Sequence, residues 1–167
     1  YYLPLKNNIN NKETINVLTL VHELLHCLGI GQSREWSNYL TNNNTFYIGP
    51  KGVEQYKNII INSNISNKIN VSNLTNGIPI ENNGGSGTQY SHFEEGINSS
   101  LTSYSDYRYD INGYQYPIIP NEISTGWLNL NHNFLSTMTL GVLEDIGYKV
   151  NYNSIYCVNP TILMWSY

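Results

Sequence analysis

The chain has 167 residues, 12 acidic against 8 basic side chains, and only 12% charged residues. That length suits one domain with a core large enough to fold without disulfide staples. A net charge of −4 with scattered Lys and Arg provides no basic stripe, which argues against nucleic-acid binding, and no apolar run approaches the roughly 18 residues of a membrane span.

The composition carries little functional information of its own. Asn (27) and Ile (19) are abundant and Ala is absent, a bias toward residues of AT-rich codons. Five Asn-x-Ser/Thr sequons occur, at Asn43, Asn64, Asn70, Asn73 and Asn98, about as many as this Asn, Ser and Thr content gives by chance, so they do not indicate secretion. Cys27 and Cys157 are too few for a disulfide framework and do not fix the redox compartment.

In chain order, Tyr1 to Leu5 reads as one strand at most. Thr14 to Leu28 is the clearest helix. Val17, Leu20, Val21, Leu24 and Leu28 recur at three- and four-residue spacing, Thr14 is placed to cap the start, and Gly29 to end it. Such an apolar helix is expected to be buried. A weaker helix covers Gly52 to Ile61, with Val53, Tyr56 and Ile60 on one side. Residues 62–76 and 82–88 are polar and read as loops, and loops that long are functional or mobile as a rule. A last helix runs from about Thr137 to Ile146, capped by Ser136, with Leu140, Leu143 and Ile146 as its stripe and Gly147 past its end.

The chemistry concentrates in Val21-His-Glu-Leu-Leu-His-Cys-Leu-Gly29. His22 and His26, four apart on a helix, share one face one turn apart, so both imidazoles can bind one Zn²⁺. Glu23 is then placed as general base toward an activated water. Four His and nine Glu predict this pattern only about 0.005 times by chance. Two surface histidines on an amphipathic helix are the bland alternative; unpaired histidines on a buried helix would be costly. A catalytic zinc takes a third protein ligand and keeps one position open. The compact version of the motif would place a third His where Gln32 stands, leaving His92, after the glycine-rich Gly84-Gly-Ser-Gly87, and His132, in a polar turn.

Further segments stand in a fixed order. They are Phe46-Tyr-Ile-Gly-Pro50; Gly77-Ile-Pro-Ile-Glu-Asn82 before Gly84-Gly-Ser-Gly87; Ser91-His-Phe-Glu94; Asn121-Glu-Ile-Ser-Thr-Gly126; and Thr139-Leu-Gly-Val-Leu-Glu-Asp-Ile-Gly-Tyr148. With His22 to Gly29 they resemble the leishmanolysin-type zinc peptidases, a branch of the metzincins, over about residues 14–153.

The resemblance implies a zinc-dependent endopeptidase with His22, His26 and His92 as metal ligands and Glu23 as base. It implies an α+β catalytic domain over residues 1–167, the active-site helix set against an irregular, helix-containing C-terminal subdomain. Insertions are expected at about 33–90, between the second and third ligands, and in the Tyr-rich stretch at about 96–120. Protein or peptide substrates are implied, and an extracellular, cell-surface or particle-associated setting.

The match departs from the family in two places. Ser124 stands where metzincins place a Met in a turn beneath the metal. Only about 13 residues precede the helix, so most of the family's N-terminal sheet is expected from a further N-terminal segment or another chain. Both departures leave open a catalytically impaired, zinc-binding structural or interaction protein. A zincin whose third ligand is a carboxylate (Glu81, Glu94 or Glu95) is a further alternative.

Smaller signals are weak. Asp110-Ile-Asn-Gly113 resembles part of a calcium loop, but Arg108 occupies the first acidic place. Tyr104, Tyr107, Tyr109, Tyr114 and Tyr116 read chiefly as packing for the insertion. Cys27 is expected to point about 100° away from His26, toward the core.

Overall fold

A computed structural model of the chain describes residues 11–63, 69–82, 85–95, 107–109, 112–119, 121–128 and 133–153. Tyr1 to Leu5, Tyr104, Asp110, His132 and Cys157 lie outside these residues, so the expectations placed on them are not addressed.

The fold is α+β. In chain order it comprises α1 (Asn11–Cys27), α2 (Arg34–Asn38), β1 (Phe46–Tyr47), α3 (Pro50–Ile61), a 3-10 turn (Val71–Asn73), β2 (Ile78–Pro79), β3 (Tyr107–Tyr109), β4 (Gln115–Pro117) and α4 (Thr137–Asp145). Two antiparallel pairs, β1 with β2 and β3 with β4, form separate two-stranded sheets. Single bridges extend the pairing: Ile80 faces Phe93, and Phe93 in turn faces Thr125. The segment around Phe93 is thereby held between residues 79–81 and 124–125.

Two helices, α3 and α4, lie where their apolar spacing places them, α3 opening two residues before the expected Gly52. In α4 the Ser136 hydroxyl accepts the Thr139 N–H at 3.4 Å, and Gly147 takes φ +109° beyond the end. Pro50 opens α3 at a position where its missing N–H costs nothing. Asp145, at the end of α4, accepts the Lys51 and Gly52 N–H groups at 2.9 and 2.8 Å and so caps α3 from the neighbouring helix. The two helices meet almost backbone to backbone: a Cβ on Gly141 would lie 2.6 Å from the Lys51 carbonyl oxygen.

Two expectations for α1 are corrected. The helix already includes Asn11, so Thr14 lies inside it and is not its cap. Its stripe is also not buried. Leu25 is in the core and Leu18 and Val21 pack against it, but Val17, Leu20, Leu24 and Leu28 are 55%, 59%, 50% and 39% exposed. The apolar arc of α1 is wider than the surface the described chain lays against it. Cys27 likewise is exposed and does not face the core.

The core instead draws on segments between the histidines. Trp36, Tyr47, Tyr56, Phe93 and Tyr116 are fully buried, and Trp36 packs on Tyr47 with ring centroids 4.8 Å apart. Within residues 33–90, α2, β1, α3 and β2 all supply core side chains. The Tyr-rich stretch contributes the β3–β4 pair and Tyr116, whose hydroxyl donates to the Asn73 carbonyl at 3.1 Å, whereas Tyr114 is exposed. No described helix is long and apolar enough to cross a membrane.

Gly141→Ala is predicted to destabilise the protein by roughly 1–3 kcal/mol, because its methyl must push α3 and α4 apart. Urea denaturation of both proteins measures this.

Candidate metal centre

Helix geometry brings the first two histidines together, since positions four apart stack on one face. The Nε2 atoms of His22 and His26 lie 3.1 Å apart. His92 arrives from a separate loop, and its Nε2 lies 3.0 Å from that of His26 and 3.2 Å from that of His22. Among the described residues, these three form the one group of His, Cys, Asp or Glu side chains close enough to hold a metal ion together.

The far side of each ring decides what this triangle can do. His22 Nδ1 lies 2.7 Å from the Ile123 carbonyl, His26 Nδ1 2.8 Å from the Ile30 carbonyl and His92 Nδ1 2.9 Å from the Thr88 carbonyl. A carbonyl oxygen only accepts, so each Nδ1 must carry the proton. On that assignment each neutral ring presents a bare Nε2 lone pair to the other two. Three lone pairs about 3 Å apart repel. A single proton shared by two rings would still leave the third facing a lone pair, whereas a divalent cation between them satisfies all three. Tetrahedral zinc, with Zn–N of about 2.0–2.1 Å, spaces its nitrogens about 3.3–3.4 Å apart, so the triangle fits with a small outward adjustment.

Burial reinforces the neutral form of the third ring. His92 is 4% exposed, and desolvation is the main cause that pushes its pKa down to about 4; the charges of His26 and His22 lower it further, against the raising effects of the Thr88 carbonyl and Glu23. The ring is therefore neutral at neutral pH, as a metal ligand must be. Glu23 follows His22 on α1 and its side chain is exposed.

Local chain geometry carries His92 into place. Gly29 (φ +113°) ends α1, and Gly31 (φ +75°) packs against the loop backbone so closely that a Cβ there would lie 2.2 Å from the Ser91 carbonyl oxygen. The Trp36 indole N–H donates to the Tyr90 carbonyl at 3.1 Å, tying the loop to α2. On the other side, the Glu81 N–H donates to the His92 carbonyl at 3.0 Å and the Phe93 N–H to the Ser124 carbonyl at 3.0 Å. Ile30, Thr88 and Ile123 act through backbone carbonyls, which any residue supplies, so no sequence signal marks them.

The candidate carboxylates lie apart from the triangle. Glu81 and Glu95 flank Gly126, where a Cβ would meet Glu81 Oε2 at 2.5 Å and Glu95 Oε1 at 3.2 Å. Glu81 Oε1 accepts the Thr88 hydroxyl at 2.9 Å, and Glu95 Oε2 accepts the Gly126 N–H at 3.1 Å. Glu94, on the same segment, is buried. None of these three joins the histidine group. Ser124 is buried too, with no hydrogen-bond partner for its hydroxyl oxygen.

No protein-family model, curated protein or solved structure matches this chain.

Burial, and then the neighbouring Glu81 charge, raise the Glu95 pKa to about 7. Between about pH 4.5 and 7 the folded state then holds a proton that the unfolded state has released, so this group's contribution to stability falls as pH rises through that window and is flat above it. His92, neutral when folded, works in the opposite direction between about pH 4 and 6.5. The stability of metal-free wild type minus that of Glu95→Gln is predicted to fall by roughly 1–3 kcal/mol from pH 4.5 to 7.5. Urea denaturation across that range checks both the sign and the window.

Proposed function

We propose that this chain is a zinc-dependent metalloendopeptidase of the leishmanolysin type, with His22, His26 and His92 as the metal ligands. The observation that supports this reading best is the set of three Nδ1–carbonyl hydrogen bonds that leaves three Nε2 lone pairs converging on one point. A three-histidine set also leaves room for the open fourth position of a catalytic site, whereas structural zinc sites are closed by four ligands.

Zinc, when bound, supplies Lewis acidity: it acidifies water and polarises a peptide carbonyl. The chain's own residues do the rest. Glu23, exposed and adjacent to His22, accepts the proton of the attacking water and returns it to the leaving amine. The three backbone carbonyls hold the imidazoles in their tautomers and orientations, so that little reorganisation is needed when metal and substrate enter. The turn at 122–125, from which the Ile123 carbonyl holds His22, is the segment that resembles the metzincin Met-turn. The exposed Val17, Leu20, Leu24 and Leu28 stripe supports a further N-terminal segment or another chain packing beside α1.

One observation favours a second reading, a zinc-binding structural or interaction protein without turnover. Ser124 occupies the Met-turn position with a buried hydroxyl that no hydrogen bond satisfies, a less supportive floor for the metal than a packed thioether.

Metal content and hydrolysis of a quenched peptide library, measured on the same preparations, separate the readings. Wild type is expected to hold one zinc per chain and to cleave peptides. Glu23→Gln should keep the zinc and lose activity by at least about 10²-fold. His92→Ala should lose both. Zinc bound by wild type without hydrolysis would favour the structural protein, and zinc binding undiminished in His92→Ala would overturn the ligand assignment.

A further inference from the structure

A second buried polar centre connects back to the histidines. Glu122 is fully buried, yet its carboxylate has no cationic side chain beside it among the described residues. It is satisfied by four donors instead. Oε2 accepts the Ser124 N–H at 2.5 Å; Oε1 accepts the Ser136 N–H and the Ser136 hydroxyl, both at 3.2 Å, and the Thr139 hydroxyl. Three of these donors belong to the cap and first turn of α4, where the helix dipole also favours negative charge.

Neither end of this arrangement needs a carboxylate for its own sake. Ser136 already caps α4 through its hydroxyl. What Glu122 adds is a tie between α4 and the 122–125 turn. Ile123 lies within the tied segment: its N–H donates to the Phe134 carbonyl at 2.9 Å, and its carbonyl takes the His22 Nδ1–H at 2.7 Å. Contacts therefore run unbroken from α4 through Glu122 and the turn to the back of His22.

We propose that Glu122 is a positioning residue for the metal centre. Its carboxylate clamps the 122–125 turn to α4, which fixes the Ile123 carbonyl and thereby the tautomer and aim of His22. The consequence for metal affinity rests on the metal reading given above; the clamp itself does not. Without it the carbonyl is free to drift, His22 populates the tautomer with the proton on Nε2, and that tautomer has no lone pair on the nitrogen that faces His26 and His92. Changes to groups that orient a ligating histidine cost about 10- to 100-fold in metal affinity.

The test compares Glu122→Gln, Glu122→Asp and Thr139→Val with Ile59→Ala, which removes core packing from α3 without removing a side-chain hydrogen bond. Two quantities are read: Co²⁺ affinity from visible absorption, and the ¹⁵N shifts of the His22 ring in metal-free protein. Glu122→Gln is expected to weaken Co²⁺ binding about 10- to 100-fold and to mix the His22 tautomers, Glu122→Asp and Thr139→Val to do so less, and Ile59→Ala to lower thermal stability with affinity within about twofold of wild type.

Wild-type affinity and tautomer in Glu122→Gln would overturn the proposal, as would an equal loss in Ile59→Ala. If Glu122→Gln does not fold, Thr139→Val decides by the same two readings. Failure of wild type to bind Co²⁺ would count against the metal reading, while the metal-free ring shifts still decide the clamp.

Discussion

Three imidazole lone pairs aimed at one point are an unfavourable arrangement unless a cation sits between them, and much of this chain is arranged to hold them there. α1 supplies two rings through its four-residue spacing. The turn after Gly29 folds the Ile30 carbonyl back onto His26, and the close approach of Gly31 to Ser91 seats the loop that carries His92. The bridges from Ile80 through Phe93 to Thr125 fix the height at which that ring enters. Each ring is thus gripped from behind by a carbonyl on a different segment. Binding energy from a metal then goes into coordination with little spent on ordering the ligands.

Buried acids are the second theme. Glu122 is surrounded by donors, whereas Glu81 and Glu95 share the space around Gly126 with fewer. Burial, and then the neighbouring Glu81, disfavour the ionisation of Glu95 and raise its pKa. These groups are costly to bury, and all lie on the segments that flank His92 or support His22. Side chains of this kind are retained where they specify an arrangement that apolar packing alone would leave loose.

The parts of the fold legible in sequence were those with a strong period or cap. α4 followed from Ser136, Gly147 and its apolar spacing, and α3 from the spacing of Val53, Tyr56 and Ile60, although it opens at Pro50, two residues before the expected start. The path of α1 was legible but not its surroundings, because a periodic stripe shows that a helix has an apolar face and not that the chain covers it; Leu20 and Leu24 are exposed. α2 escaped notice, being only five residues long, although Ser33 caps it by accepting the Trp36 N–H at 3.0 Å. Strands of two or three residues are too short to show alternation. At the metal centre, His22, His26 and Glu23 were visible from spacing, and His92 was singled out by resemblance. The carbonyls of Ile30, Thr88 and Ile123 had no signature, and Glu122 stood in the segment Asn121-Glu-Ile-Ser-Thr-Gly126 with nothing in the sequence to mark its burial.

X-ray absorption at the zinc K-edge, on protein loaded with one equivalent of Zn²⁺, reads the ligand set of the three-histidine centre itself. Three histidine ligands and an open position predict nitrogen and oxygen scatterers at about 2.0–2.1 Å with the outer-shell pattern of three imidazoles. A sulfur scatterer near about 2.3 Å, or fewer than three imidazoles, would contradict it.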